Sequence, residues 1–201
     1  MFSVYQPEGK TFNGTLEQLL ASRPDSNRNA FQPYRMQSVN QFASGGFGHL
    51  RTYQQVQAHT PGETRLPAAD LMKSPVATIR HSASIRQAWQ EMAARNVAQM
   101  PVLNDDLTPI GMLTWASLLK FVVFSGDQIR FVKGVVVRNI MWPELITAQE
   151  RTDCRRIVSM MVAFNVNAVP ISNSRDRLIG IISRSDILNL LAQSPALHLW
   201  V

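Results

Sequence analysis

Apolar residues between positions 66 and 193 recur at two alternating periods. Ile85, Ala88, Trp89 and Met92 fall at i, i+3, i+4 and i+7, as do Cys154, Ile157, Val158 and Met161 further on. That spacing predicts an amphipathic helix at each place, closed by Asn96 and Asn165. Short apolar runs follow, Met100–Leu103 with Pro109–Leu113 and Ala168–Ile171 with Leu178–Ile182. They read as paired strands, joined by turns rich in Asn and Asp at 104–106 and 173–176. A short segment, Val76–Ile79 or Leu145–Thr147, leads into each first helix. A second helix is predicted to start at Trp115 and at Arg184.

The order is the same twice because the chain repeats itself without a gap. One offset, the 69 residues from Met72 to Met141, also pairs Thr78 with Thr147, Met92 with Met161 and Asn96-Val97 with Asn165-Val166. It further pairs Pro101 with Pro170, Ile110-Gly111 with Ile179-Gly180, and Leu119 with Leu188. A single offset held across five successive elements marks an internal repeat. A unit of this size has a small core and one-sided layers. Two copies can bury their sheets against each other, which predicts a pseudo-twofold pair.

Before Leu66 the pattern fades. Apolar residues are sparse, Gln and Asn are frequent, and Ser44-Gly45-Gly46-Phe47-Gly48 reads as a loop. Thr15 and Gln18 can form a capping box, with Leu16, Leu19 and Leu20 on one side of a short helix that Pro24 ends. The expected division is a mostly irregular arm over 1–66, a first repeat over 67–124, a linker over 125–134, a second repeat over 135–193, and an apolar tail over 194–201. The tail, ending Leu199-Trp200-Val201, is expected to dock on its own chain or on a second subunit. The fold class is α+β, with two βαββα units.

The polar residues with chemical interest lie where each last strand meets its helix. Copy two reads Gly180-Ile181-Ile182-Ser183-Arg184-Ser185-Asp186, and copy one reads Gly111-Met112-Leu113-Thr114-Trp115-Ala116-Ser117. Ser183 and Asp186 have the spacing of a capping box, which needs no ligand. The same groups suit a nucleotide. Free N–H groups at a helix start attract phosphate, and a carboxylate can accept from both ribose hydroxyls.

With those residues in view, positions 67–193 resemble a tandem pair of CBS domains, a Bateman module of the stand-alone bacterial type. The matching features are Asp70-Leu71-Met72 and Asn139-Ile140-Met141, the Met100-Pro101-Val102 and Val169-Pro170-Ile171 strands, and Gly180…Ser183…Asp186. The resemblance implies a disc-like module with two related clefts. Such modules bind AMP, ADP, ATP or S-adenosylmethionine, sometimes NAD or a dinucleotide, and report the ligand to a partner protein. It implies that Asp186 holds ribose, that Ser183 and Arg184 face phosphate, and that Ile146, Thr147, Asn167, Ala168 and Pro170 line the base pocket. A weaker first site would use Thr78, Gln99, Pro101, Thr114 and Ser117. Ser117 replaces the ribose acid there, a loss of roughly 1–2 kcal/mol if ribose binds. The resemblance also implies a homodimer.

Composition narrows the alternatives. The 201 residues are 45% hydrophobic with a net charge of +6, enough for a core and basic enough to keep nucleic acid in mind. The densest basic pair is Arg155-Arg156, and no run of five or six basic residues or aromatic-interleaved basic stretch is present, so a solvated basic surface is favoured over a nucleic-acid site. Neither a secretory leader nor an apolar span of membrane length is evident, and Cys154 has no partner for a disulfide. A cytoplasmic protein without membrane attachment is expected. His49, His59, His81 and His198 lack metal-ligand spacing, and no catalytic triad, carboxylate pair or P-loop is present. The reading is a regulatory sensor, not an enzyme, with an adenosine derivative as ligand and no required cofactor. The alternatives left open are an interaction module without ligand and a nucleic-acid-associated regulator.

Overall fold

A computed structural model describes residues 1–23, 65–126 and 128–193. It begins with a hairpin, β1 (Phe2–Gln6) and β2 (Gly9–Gly14), and helix α1 (Leu16–Ala21). The first repeat follows as α2 (Ala68–Leu71), β3 (Ile79–Arg80), α3 (Ile85–Ala94), β4 (Gln99–Leu103), β5 (Pro109–Thr114) and α4 (Trp115–Leu119). A second hairpin, β6 (Val122–Ser125) with β7 (Gln128–Phe131), joins it to the second repeat. That repeat comprises α5 (Val137–Ile140), β8 (Leu145–Gln149), α6 (Cys154–Ala163), β9 (Ala168–Ser172), β10 (Leu178–Ser183) and α7 (Arg184–Gln193).

The periodic helices form as the spacing predicts. Ile85, Ala88 and Met92 are buried along α3, and Cys154, Ile157, Met160 and Met161 along α6. Ser84 caps α3 reciprocally with Gln87, and Asp153 caps α6 by accepting from the Arg155 N–H. Both helices stop at asparagines in the left-handed region, Asn96 at φ 50° and Asn165 at φ 49°, a conformation in which Asn costs less than other side chains. In each repeat two strands pair in parallel, β3 with β4 and β8 with β9, and the third returns antiparallel.

The N-terminus departs from the sequence reading. Of the expected irregular arm, residues 24–64 lie outside the described residues. Within 1–23 the structure adds a hairpin to the expected Thr15-capped helix. β1 pairs antiparallel with both β2 and β8, giving a five-stranded sheet in the order β10-β9-β8-β1-β2. Phe2 and Val4 enter the second repeat's core beside Ile146 and Ala148. Glu17 on α1 holds Arg156 on α6 through two contacts of 2.8 and 2.6 Å, and Lys10 pairs with Asp176 at 2.9 Å. The expected linker over 125–134 likewise contains β7. The apolar tail lies outside the described residues, as does the loop at 44–48.

The two repeats are related by a pseudo-twofold, and the isolated strand bridges display it. Lys73 pairs with Ile181, and Met112 with Trp142; Ser84 pairs with Val136, and Pro67 with Asp153. Each bridge becomes its mate when both repeats are exchanged by the 69-residue offset. The segment leading into each repeat therefore crosses to the other repeat's last strand. Gly111 and Gly180 permit that crossing. A β-carbon at 111 would overlap the Trp142 carbonyl oxygen, and one at 180 would press on the Met72 side chain.

Candidate functional site

The crossing segments place chemistry from both repeats around one cleft of about 320 Å³. β5 of the first repeat contributes Met112 and Thr114, with Gln99 from the start of β4. The second repeat contributes Trp142, Glu144, Leu145 and Ile146 from its leading segment, then Asn165 to Ala168, and Arg184 at the start of α7. The volume lies in the range of small-molecule sites, which combine apolar walls with a few polar groups.

Local bonds fix the walls. The Trp142 backbone exchanges two hydrogen bonds with Met112, at 2.8 and 3.0 Å, so its position follows β5. The Arg184 guanidinium donates to the Val166 carbonyl at 3.2 Å and to Asn165 Oδ1 at 2.9 Å. It remains exposed, a fixed positive charge at the rim. Glu144 is paired with Arg23, which follows α1, while Tyr5 of β1 packs with Met112, Leu145 and Trp142. The N-terminal segment thus backs the cleft wall.

The residues expected from sequence are divided between environments. Ile146, Asn167, Ala168 and Arg184 line the cleft together with Gln99 and Thr114, which were assigned to the other site. Ser183 and Asp186 are not among its lining residues. Asp186 is buried at the third position of α7, where its Oδ2 accepts from the Ser183 N–H at 2.8 Å and from Ser183 Oγ at 2.5 Å. Its Oδ1 meets Lys73 Nζ at 2.7 Å. Burial pushes the carboxyl pKa up, but the bonds from Lys73 and Ser183 outweigh burial and hold it below its ordinary value.

Ser117, the counterpart of Asp186, is likewise buried, and its Oγ donates to the Thr114 carbonyl at 2.9 Å. Thr147 is fully buried on β8, and its Oγ1 has no partner among the described residues. Pro170 sits in β9 opposite Ile181, and Pro101 in β4 opposite Met112; both are buried. Thr78, partly buried, directly precedes β3.

Met112, Trp142, Glu144, Leu145, Asn165 and Val166 were not foreseen. Trp142 had a weak signal, since the offset aligns it with Lys73 just after the paired Met72 and Met141. Reading each repeat as self-contained hid it, because its neighbours belong to the other copy. Among the described residues no cluster of His, Cys, Asp and Glu could hold a metal ion, and no helix is long and apolar enough to cross a membrane.

The family model described as CBS domain matches residues 68–124 and again 137–193. Homoserine O-acetyltransferase of Methanococcoides burtonii is 30% identical over 128 residues, which is 64% of this chain and 25% of that protein. The chain spans about a quarter to a half of the length of the curated relatives that it matches. Among solved structures, the CBS domain pair of protein MJ0100 in complex with 5′-methylthioadenosine and S-adenosyl-L-methionine superposes with a TM-score of 0.55 at 21% identity. It covers 64% of this chain and 98% of that one. CBSX2 of Arabidopsis thaliana, in complex with AMP, gives 0.53 at 19% identity, covering 63% and 96%. At these identities the likeness establishes the shared fold.

Proposed function

The chain belongs to the CBS domain family, with two copies of the domain, and on that premise we propose that it is a regulatory module that binds an adenosine derivative between its repeats. The observation that carries this reading is the cleft of about 320 Å³ to which both repeats contribute. Trp142 and Ile146 offer apolar surface for a base. Asn167, Gln99 and Thr114 supply hydrogen-bonding groups, and Arg184 supplies positive charge suited to a phosphate or carboxylate. A ligand held by two repeats at once favours one relative placement of them, which is how binding could be reported to a partner protein or a second copy. The complexes of the structural neighbours with AMP, 5′-methylthioadenosine and S-adenosyl-L-methionine support this choice of ligand class.

Thermal unfolding with AMP, ADP, ATP and S-adenosylmethionine tests it. A ligand present at about 100 times its dissociation constant adds about 2.7 kcal/mol of stability. Trp142→Ala and Arg184→Ala are each expected to weaken that ligand by about 10-fold, as for removal of one packed or charge-assisted contact. Absence of any shift with all four ligands overturns the proposal in favour of an interaction module without ligand.

A further inference from the structure

Among the described residues that line the cleft, Glu144 is the one acid and Arg184 the one base. The 69-residue offset places Pro75 at the point of the first repeat that matches Glu144, so this acid is not part of the repeated pattern. Its partner comes from outside both repeats. Glu144 pairs with Arg23, and the two side chains are only 19% and 17% exposed.

The segment that carries Arg23 is fixed to the second repeat at several points. β1 pairs with β8, and Glu17 of α1 binds Arg156 of α6 at 2.8 and 2.6 Å. The Arg23 guanidinium lies 5.9 Å from the ring centre of Phe164, a fully buried residue directly before Asn165 of the cleft. Arg23 itself is not among the lining residues. Its route to a ligand runs through Glu144.

We infer that Arg23 sets the charge preference of the cleft: by neutralising Glu144 it lets the site take an anionic adenosine derivative ahead of a neutral one. The inference rests on the proposed adenosine-binding reading and names the charge class of its ligand. An unbalanced carboxylate in the wall would cancel the attraction of Arg184 and repel a phosphate. Two guanidinium groups with one carboxylate instead leave a net positive charge around the cleft. The pair is largely shielded from water and salt, so its charges act on a bound ion more strongly than those of an exposed pair. One unbalanced charge at such a place is worth about 10-fold in affinity for an ion, and little for a neutral molecule. The cleft's sign is therefore set by the N-terminal segment.

Isothermal titration of the full chain with AMP and with adenosine tests the inference, in the wild type, Arg23→Gln, Glu144→Gln and the double variant. The readout is the ratio of AMP affinity to adenosine affinity, which a merely structural support would not move. In the wild type AMP is expected to be favoured. The ratio is expected to fall about 10-fold in Arg23→Gln, to rise in Glu144→Gln, and to return to within about 3-fold of the wild type in the double variant. Circular dichroism checks that each protein folds. Should Arg23→Gln fail to fold, the other two variants decide, because neither leaves the carboxylate unbalanced. Equal ratios in Glu144→Gln and the double variant overturn the inference. A loss of both ligands alike in Arg23→Gln, at an unchanged ratio, also overturns it and leaves the adenosine reading standing. No binding of either ligand to any of the folded proteins overturns both.

Discussion

Asp186 stands where a helix needs a cap, a lysine needs a counterion and the family resemblance places a ribose. The structure shows the first two. Its bonds to Ser183 satisfy N–H and O–H groups at the start of α7, and Lys73 balances its charge. Replacement by Asn keeps the shape and removes the charge, so Asp186→Asn is expected to cost about 1 kcal/mol at pH 7, the scale of a lost cap. The folded-state pKa is depressed below 3.8. Its stabilising contribution is therefore complete above that pH and disappears as pH falls through the folded pKa. Urea unfolding of both proteins between pH 7 and pH 2 checks this, with the stability gap closing only in acid. A gap constant over that range would remove the carboxylate's charge from the account. The capping role was legible from Ser183-x-x-Asp186 alone. Lys73 was not, since it lies 113 residues earlier in the chain (186 − 73) and only the fold brings it near.

At the level of elements, legibility follows the length of the pattern. α3 and α6 display two turns of 3.6-residue spacing and were readable with the asparagines that end them, whereas their N-caps, Ser84 and Asp153, emerged only in the structure. The strand pairs were readable from short apolar runs flanked by Asn and Asp turns. β1 was not, because Phe2, Val4 and their intervening polar Ser3 offer too short an alternation. Its partner β8 begins at Leu145, so nothing local announces the pairing. The core nevertheless depends on it. Phe2 is 1% exposed and Val4 is fully buried. Phe2→Ala is expected to cost about 3–5 kcal/mol in chemical denaturation, as for other buried Phe truncations. A cost under about 1 kcal/mol would mean that the hairpin does not belong to the cooperative core. The N-terminal segment also matters to the candidate site, since Tyr5 of β1 packs on Leu145 and Arg23, after α1, pairs with Glu144.

At the level of the whole molecule, the two leading segments bind the repeats by crossing between them. At Gly111 and Gly180 the crossing segments leave no room for a β-carbon. Gly111→Ala sets a methyl against the Trp142 backbone, which cannot rotate away, while Gly180→Ala meets the Met72 side chain. Overpacking of this kind costs about 1–3 kcal/mol, and Gly111→Ala is expected to be the more damaging of the two. Under the proposed function it is also expected to weaken the adenosine ligand, because it displaces Trp142 from the cleft wall. Thermal unfolding and titration of both variants check the ranking, and equal effects would show that the leading segments give way freely. Local spacing and the fixed offset between copies were enough to set the repeat, its helices and paired strands, the capping boxes at Thr15 and Ser183, and the family. Tertiary structure decided how residues of opposite copies combine. A crossing segment brings Trp142 to Thr114 and Lys73 to Asp186, and no pattern within either repeat records which partner the other repeat supplies.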